Sequence, residues 1–163
     1  MSIEGKVWKF GDDINTDVLY PGQYTYLPLT DEQVATHALE GLAPNFAAEA
    51  VPGDILVGGW NWGVGSAREQ AVKCIKFQKV GAIIAKSFAR IYFRNCLNEG
   101  LLAIACPAAV DAIADGDVIS IDMDRSVIRT GKGEYSFESY PEHVRSLVDA
   151  GGIVPYTIQK MKG

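Results

Sequence analysis

The sequence is poor in the residues that build metal centres. It holds three cysteines and two histidines among 163 residues. Cys74, Cys96 and Cys106 stand far apart, with no CxxC pair and no histidine-rich set beside them. That spacing supplies no metal or cluster motif. An odd number of thiols also excludes a complete disulfide framework, so the three are expected to be reduced and half-buried, as in a cytosolic protein. Positive charge is in deficit too. Fifteen lysines and arginines face 20 aspartates and glutamates, for a net charge of −5, which argues against nucleic acid or an anionic membrane as the main partner. A small organic anion held by a local cluster of donors is not excluded. No apolar run reaches the length of a membrane span, and MSIEGKVWKF has no signal-peptide core. A soluble, cytoplasmic chain is expected. Internal repeats, low-complexity stretches and linkers are also missing, so a single domain over residues 1–163 is expected.

What is present is a pattern of short apolar runs separated by glycine-rich and proline-rich turns. Lys6 to Phe10 predicts a short strand running into the acidic turn GDDINTD. The loop YPGQYTYLPL ends at Thr30, where TDEQ has the form of a capping box. The helix it opens should place Val34, Ala38 and Leu39 on one face and end near Gly41. Ile55 to Val57 predicts a buried strand, Ala67 to Lys79 a helix with Ala71, Val72 and Ile75 inward, and AIIA a second buried strand. A further helix runs through SFARIYFRNCLNEG to a C′ glycine at Gly100, and LLAIAC is a third apolar strand closed by Pro107. Strand–helix–strand–helix–strand is the pattern of parallel crossover units. From Asp115 the alternation changes to that of antiparallel hairpins, and PEHVRSLVDAGG predicts a final helix. An α/β domain with parallel and antiparallel parts is expected.

The chemistry points to GWNWGVGSAREQ, residues 59 to 70. Its glycines let a backbone approach a ligand closely. Ser66 is expected where a helix begins, beside unpaired N–H groups and the positive end of the helix dipole. Arg68 adds a fork suited to a carboxylate. This describes a site for a small organic anion. Ser66-Ala67-Arg68-Glu69 is equally a capping box, and that reading stays open beside the functional one. No Gly-Lys-Ser/Thr follows, and the third glycine of a dinucleotide fingerprint is missing. The order Gly-Val-Gly-Ser-Ala is not a nucleophile elbow. Neither His37 nor His143 has a motif that would support a serine triad.

NWGVGSAREQA, followed by VGAIIAKSFARIYFRNCLNEGLLAI, closely resembles the small-subunit signature of isopropylmalate dehydratases and homoaconitases and the fourth domain of aconitases. KVWKFGDDINTDVLYPG matches the opening of that family in the same order. The resemblance covers nearly the whole chain. It implies a swivelling β/β/α three-layer domain that closes over an iron–sulfur cluster (4Fe-4S) bound by a separate large subunit, with no cofactor or metal on this chain. The implied reaction is loss and re-addition of water on a hydroxy acid. Isopropylmalate, in leucine biosynthesis, is the first choice. Homoaconitate, a citrate-like acid or a dimethylmalate-type acid is the alternative, and a non-catalytic anion-binding regulatory domain is an alternative of another class. By the same resemblance Ser66 is the base that takes the carbon-bound proton, Arg68 stabilises its alkoxide and holds a carboxylate, and Ala67 and Asp17 line the substrate. An Asx-turn role for Asp17 stays open.

Some positions depart from the family. Val64 and Ala67 stand where members usually carry cysteine and serine, Gln70 replaces a frequent histidine, and Gln23 a frequent arginine. The specificity loop corresponds to Tyr24–Leu29, here YTYLPL. Tyr26 and Leu27 are expected to offer an apolar wall, favouring a branched alkyl group over a third carboxylate. Read without the family, the same loop is a proline-stiffened surface segment. Arg90 and Arg94, in the SFAR segment, are expected to pin their helix to neighbouring acids.

Overall fold

A computed structural model describes residues 2–162. Strand β1 (Ser2–Lys9) is the hinge of the architecture. Its last residues pair in parallel with β2 (Ile55–Val57), Val7 opposite Ile55, while its first five pair antiparallel with β5 (Val118–Asp122), Ser2 opposite Asp122. The parallel half continues through β3 (Ala82–Ala85) to β4 (Ala103–Ala105), and the antiparallel half through β6 (Val127–Thr130) to β7 (Gly133–Ser136). The seven strands form one sheet in the order β4-β3-β2-β1-β5-β6-β7. The mixed α/β class expected from the sequence is the class observed.

β2 and β3 read as unbroken apolar runs because both of their faces are covered. Leu56, Ile83 and Ala85 face a core built with α1 (Thr16–Leu19), α2 (Asp31–Thr36), α4 (Gln70–Phe77) and α5 (Arg90–Asn98). Ile55, Val57, Ala82 and Ile84 face a second core with α6 (Pro107–Ala112) and residues of the antiparallel strands. Helix α6 touches β3 and also β6 and β7. β3 and β6 lie four strand steps apart, about 19 Å on a flat sheet, so the sheet must coil around α6. The remaining helices are α3 (Phe46–Glu49), α7 (Glu142–Asp149), which packs on α5, and α8 (Ile153–Lys162), which packs on α7.

Several local expectations hold. Thr30 and Gln33 form the reciprocal capping box of α2, and Gly100 sits past the end of α5 at φ +78°. Ala71, Val72 and Ile75 are fully buried, as are Ala38 and Leu39, whereas Val34 is only partly buried. Others need correction. β1 begins at Ser2 rather than Lys6, because Gly5 is no strand breaker here: a Cβ at that position would collide with the Gly53 carbonyl oxygen. α2 ends at Thr36, well before Gly41. α6 and α8 were not expected, and the thiols of Cys74, Cys96 and Cys106 are buried rather than half-buried. Most important for the site, α4 begins at Gln70, not Ala67. Among the described residues no helix is long and apolar enough to cross a membrane.

Candidate functional site

Three loops leave the carboxyl ends of parallel strands and lace together. The segment after β1 receives hydrogen bonds from Gly59 N to Gly11 O and from Gly63 N to Ile14 O; Asp13 N returns one to Trp60 O. The loop after β3 joins through Lys86 N to Gly59 O and Trp62 N to Ser87 O. The carboxyl ends of parallel strands are where open α/β sheets place ligands. Gly63 and Gly65 give the central loop its course, at φ +89° and +104°. Gly63 is needed twice over, since a side chain there would also collide with the Tyr92 ring.

This loop carries Ser66, and its geometry overturns both the capping reading and the expected helix-terminal placement. The N-cap of α4 is Glu69, with no side-chain cap hydrogen bond, so Ser66 lies ahead of the helix. Glu69 instead pairs with Lys73 at 3.3 Å. The expected N–H donors are nevertheless present in another form. Among the described residues, none of the backbone N–H groups from Gly65 to Glu69 donates to a protein acceptor. Successive N–H groups left unused by the protein are the raw material of an anion-binding nest. Ser66 and Ala67 are exposed.

Arg68 is the anchor of the loop. Its Nη2 donates to Asp17 Oδ1 at 2.8 Å and to Tyr20 O at 2.9 Å, and Nη1 donates to Thr25 Oγ1 at 3.1 Å. The Arg68 side chain is 13% exposed, against 74% for Asp17. Arg68 therefore joins the serine loop, α1 and the Tyr24–Leu29 loop. The Asp17 carboxylate lies within α1 and accepts from Arg68, and the local cap of the helix is Asn15, whose side chain accepts from Val18 N. Gln70 adds a second tie, Nε2 to Thr25 O at 3.2 Å.

Beside this anchor lies a cavity of about 330 Å³. Ala67 and Arg68 line it from the loop, Thr16 from α1, and Arg90, Tyr92 and Asn95 from α5. Ser66 sits between two lining residues, Gly65 and Ala67. Of the expected site residues Ala67 and Arg68 line the cavity, while Ser66 and Asp17 are not among its lining residues and are tied to it through the loop and through the Arg68 contact. The structure does not bring Tyr26 or Leu27 into the cavity; they are 96% and 52% exposed at the outer end of a loop that is tied down at Thr25. Arg90 and Arg94 do not pin α5 to acids, since neither makes an ion pair among the described residues. Thr25 and Tyr20, which hold Arg68, left no signal in the sequence, because their contacts cross more than forty residues. Thr16 lay within the INTD segment already singled out. His37 binds Glu40 at 2.7 Å and stacks on Tyr24, so it is committed away from Ser66.

The thiols do not contribute to the site. Burial pushes the pKa values of Cys74 and Cys96 well up, which keeps both protonated. Among the described residues no group of His, Cys, Asp and Glu is arranged to hold a metal ion. The described residues therefore offer no ligand set for an iron–sulfur cluster.

The family model described as the aconitase C-terminal domain matches residues 12–109. The chain is 44% identical to the 3-isopropylmalate dehydratase small subunit of Aquifex aeolicus, covering 99% of this chain and 97% of that protein. It is 45% identical to a 3-isopropylmalate dehydratase small subunit of Thermotoga maritima, covering 94% and 93%. The crystal structure of a 3-isopropylmalate dehydratase from Methanocaldococcus jannaschii superposes with a TM-score of 0.89 at 40% identity, over 100% of both chains. The laced loops that form the cavity lie within the matched region, and the likeness runs the length of the chain: it belongs to the aconitase C-terminal domain family and, within it, to the 3-isopropylmalate dehydratase small subunits.

Proposed function

We propose that this chain is the small subunit of a cytoplasmic hydro-lyase that interconverts 2-isopropylmalate and 3-isopropylmalate, active only with a large subunit that carries an iron–sulfur cluster. It acts as a single aconitase-type domain closing over the partner's site. The observation that carries the reading is the placement of Ser66 on a loop of unused N–H groups, beside a cavity and anchored by Arg68. A cluster held by the partner would supply a Lewis acid for the leaving hydroxyl.

The work of this chain is proton transfer and positioning. Ser66 Oγ takes the proton from one carbon while the hydroxyl leaves its neighbour, giving an alkene. Water then adds back with the two positions exchanged, and Ser66 returns the proton. A serine is a weak base unless its alkoxide is stabilised. Donors fixed in the loop, with Arg68 behind them, supply that stabilisation without reorganising during the reaction. Asp17 fixes the Arg68 fork, and Ala67 presents its N–H and a methyl group to the substrate. Tyr26 and Leu27 face the variable group once the partner closes the site.

Ser66→Ala in the enzyme reconstituted with its large subunit should lower kcat by at least about a hundredfold, the scale of a lost general base. Its denaturant midpoint should barely move, because Ser66 caps no helix. Near-normal turnover would remove Ser66 from the chemistry.

A further inference from the structure

Building on that reading of the site, we propose that Arg90 is a second carboxylate-binding residue for the diacid substrate, acting in the cavity that it lines together with the Ser66 loop and Asn95. The guanidinium of Arg68 already holds Asp17, the Tyr20 carbonyl and Thr25. Its charge is largely answered within the chain. Arg90 is the contrasting case. It lines the same cavity, is exposed, and makes no side-chain hydrogen bond or ion pair among the described residues. Asn95, further along α5, also lines the cavity with no side-chain hydrogen bond among the described residues.

The surroundings favour an anion over any other occupant. Among the described residues no acidic side chain lines the cavity, so Arg90 leaves it net positive although the chain carries −5 overall. Thr16, which also lines the cavity, has a buried hydroxyl that finds no hydrogen-bond partner among the described residues and packs against Gly65. Buried polar atoms without partners are uncommon and mark places where a ligand or water is expected. The rest of the lining includes Ala67, Ala89 and Ile91, an apolar wall fitted to a branched alkyl group. Two carboxylates flanking such a group would meet the loop donors at one end and the Arg90 fork at the other, where a bidentate contact is available. Arg94, one turn further along α5 and outside the lining, has no such role.

The test uses the reconstituted two-subunit enzyme with 2-isopropylmalate. Arg90→Gln should raise KM about tenfold or more, the size expected for a lost hydrogen-bonded charge contact. kcat should stay within about threefold, since a contact made equally to substrate and transition state appears in KM. Arg90→Lys should recover part of the loss, and Arg94→Gln should leave KM unchanged. All three variants should fold, because the native side chains are exposed and unpaired. An unchanged KM in Arg90→Gln overturns the inference. So does a raised KM that returns to normal when the large subunit is supplied in excess, which would make Arg90 a subunit contact. Ser66→Ala run in parallel separates the two readings. An inactive Ser66→Ala with an unaffected Arg90→Gln defeats only the Arg90 assignment. An active Ser66→Ala with a weakened Arg90→Gln defeats the base and keeps the carboxylate contact.

Discussion

The guanidinium of Arg68 bonds to a carboxylate and a carbonyl at α1 and its C-cap Tyr20, and to a hydroxyl in the Tyr24–Leu29 loop. A planar fork reaches all three at once; an ammonium on a flexible stem does not. Arg68→Lys should therefore lower both stability and activity. Losing hydrogen bonds to a charged group in this mostly buried setting should cost about 1.5–3 kcal/mol in a denaturant titration. The kcat/KM of the reconstituted enzyme should fall further than the stability change explains, because the Ser66 loop loses its anchor. An Arg68→Lys protein with wild-type stability would mean that the three contacts are not maintained in solution. The sequence singled out Arg68 as a carboxylate fork, through its residue type and the glycines before it, and the structure adds that this fork is bonded within the chain. The sequence could not reveal that Tyr20 and Thr25 are its partners, because neither residue type nor local spacing encodes a contact across such a separation.

Helix ends show where local sequence decides and where tertiary packing overrides it. Thr30 with Gln33 and Ser66 with Glu69 are the same four-residue signature, yet only the first caps a helix. The second is drawn out of helical register by the lacing of its loop to the segments after β1 and β3. Thr30→Ala should accordingly cost about 1 kcal/mol of stability, the usual loss for an N-cap, read from the shift in thermal midpoint. A Thr30→Ala chain as stable as the parent would show that α2 is held by its packing on α4 alone. The strands β2 and β3 and helix α5 were legible for a physical reason: uninterrupted apolar runs and a C′ glycine act locally. Helix α6 was not, because Pro107 looks like a strand terminator until it is seen at the first turn of a helix. Helix α8 escaped for the opposite reason, since Pro155 lies within its first turn and a Gly-Gly pair precedes it. β1 was shortened by Gly5, whose role is to admit the Gly53 carbonyl. In each miss the residue has two uses, and only the fold selects one.

Across the molecule, the loop from Tyr24 to Leu29 is the feature whose role depends most on what lies outside this chain. Arg68 and Gln70 fix Thr25 from beneath, while Tyr26 and Leu27 stand in solvent away from the cavity. On the function proposed above, these two exposed apolar side chains cover the substrate once the partner closes the site. Enclosing an alkyl branch there gains about 0.8 kcal/mol per methylene. A third carboxylate would be desolvated against a loop that carries no lysine or arginine. The reconstituted enzyme should therefore prefer branched alkylmalates to homocitrate-like tricarboxylates in kcat/KM. Leu27→Arg should narrow or reverse that order by giving the extra charge a partner. The measurement is a panel of both acid classes, run with wild type and variant at saturating large subunit. A wild-type preference for the tricarboxylates would mean that the apolar wall has been misjudged, and Arg90 would then be the first candidate to pair the third carboxylate. An unchanged ranking in Leu27→Arg, with activity intact, would mean instead that position 27 faces the partner subunit and not the substrate. Because Leu27 is exposed and makes no side-chain hydrogen bond, the substitution leaves folding untouched and the ranking reads the contact alone.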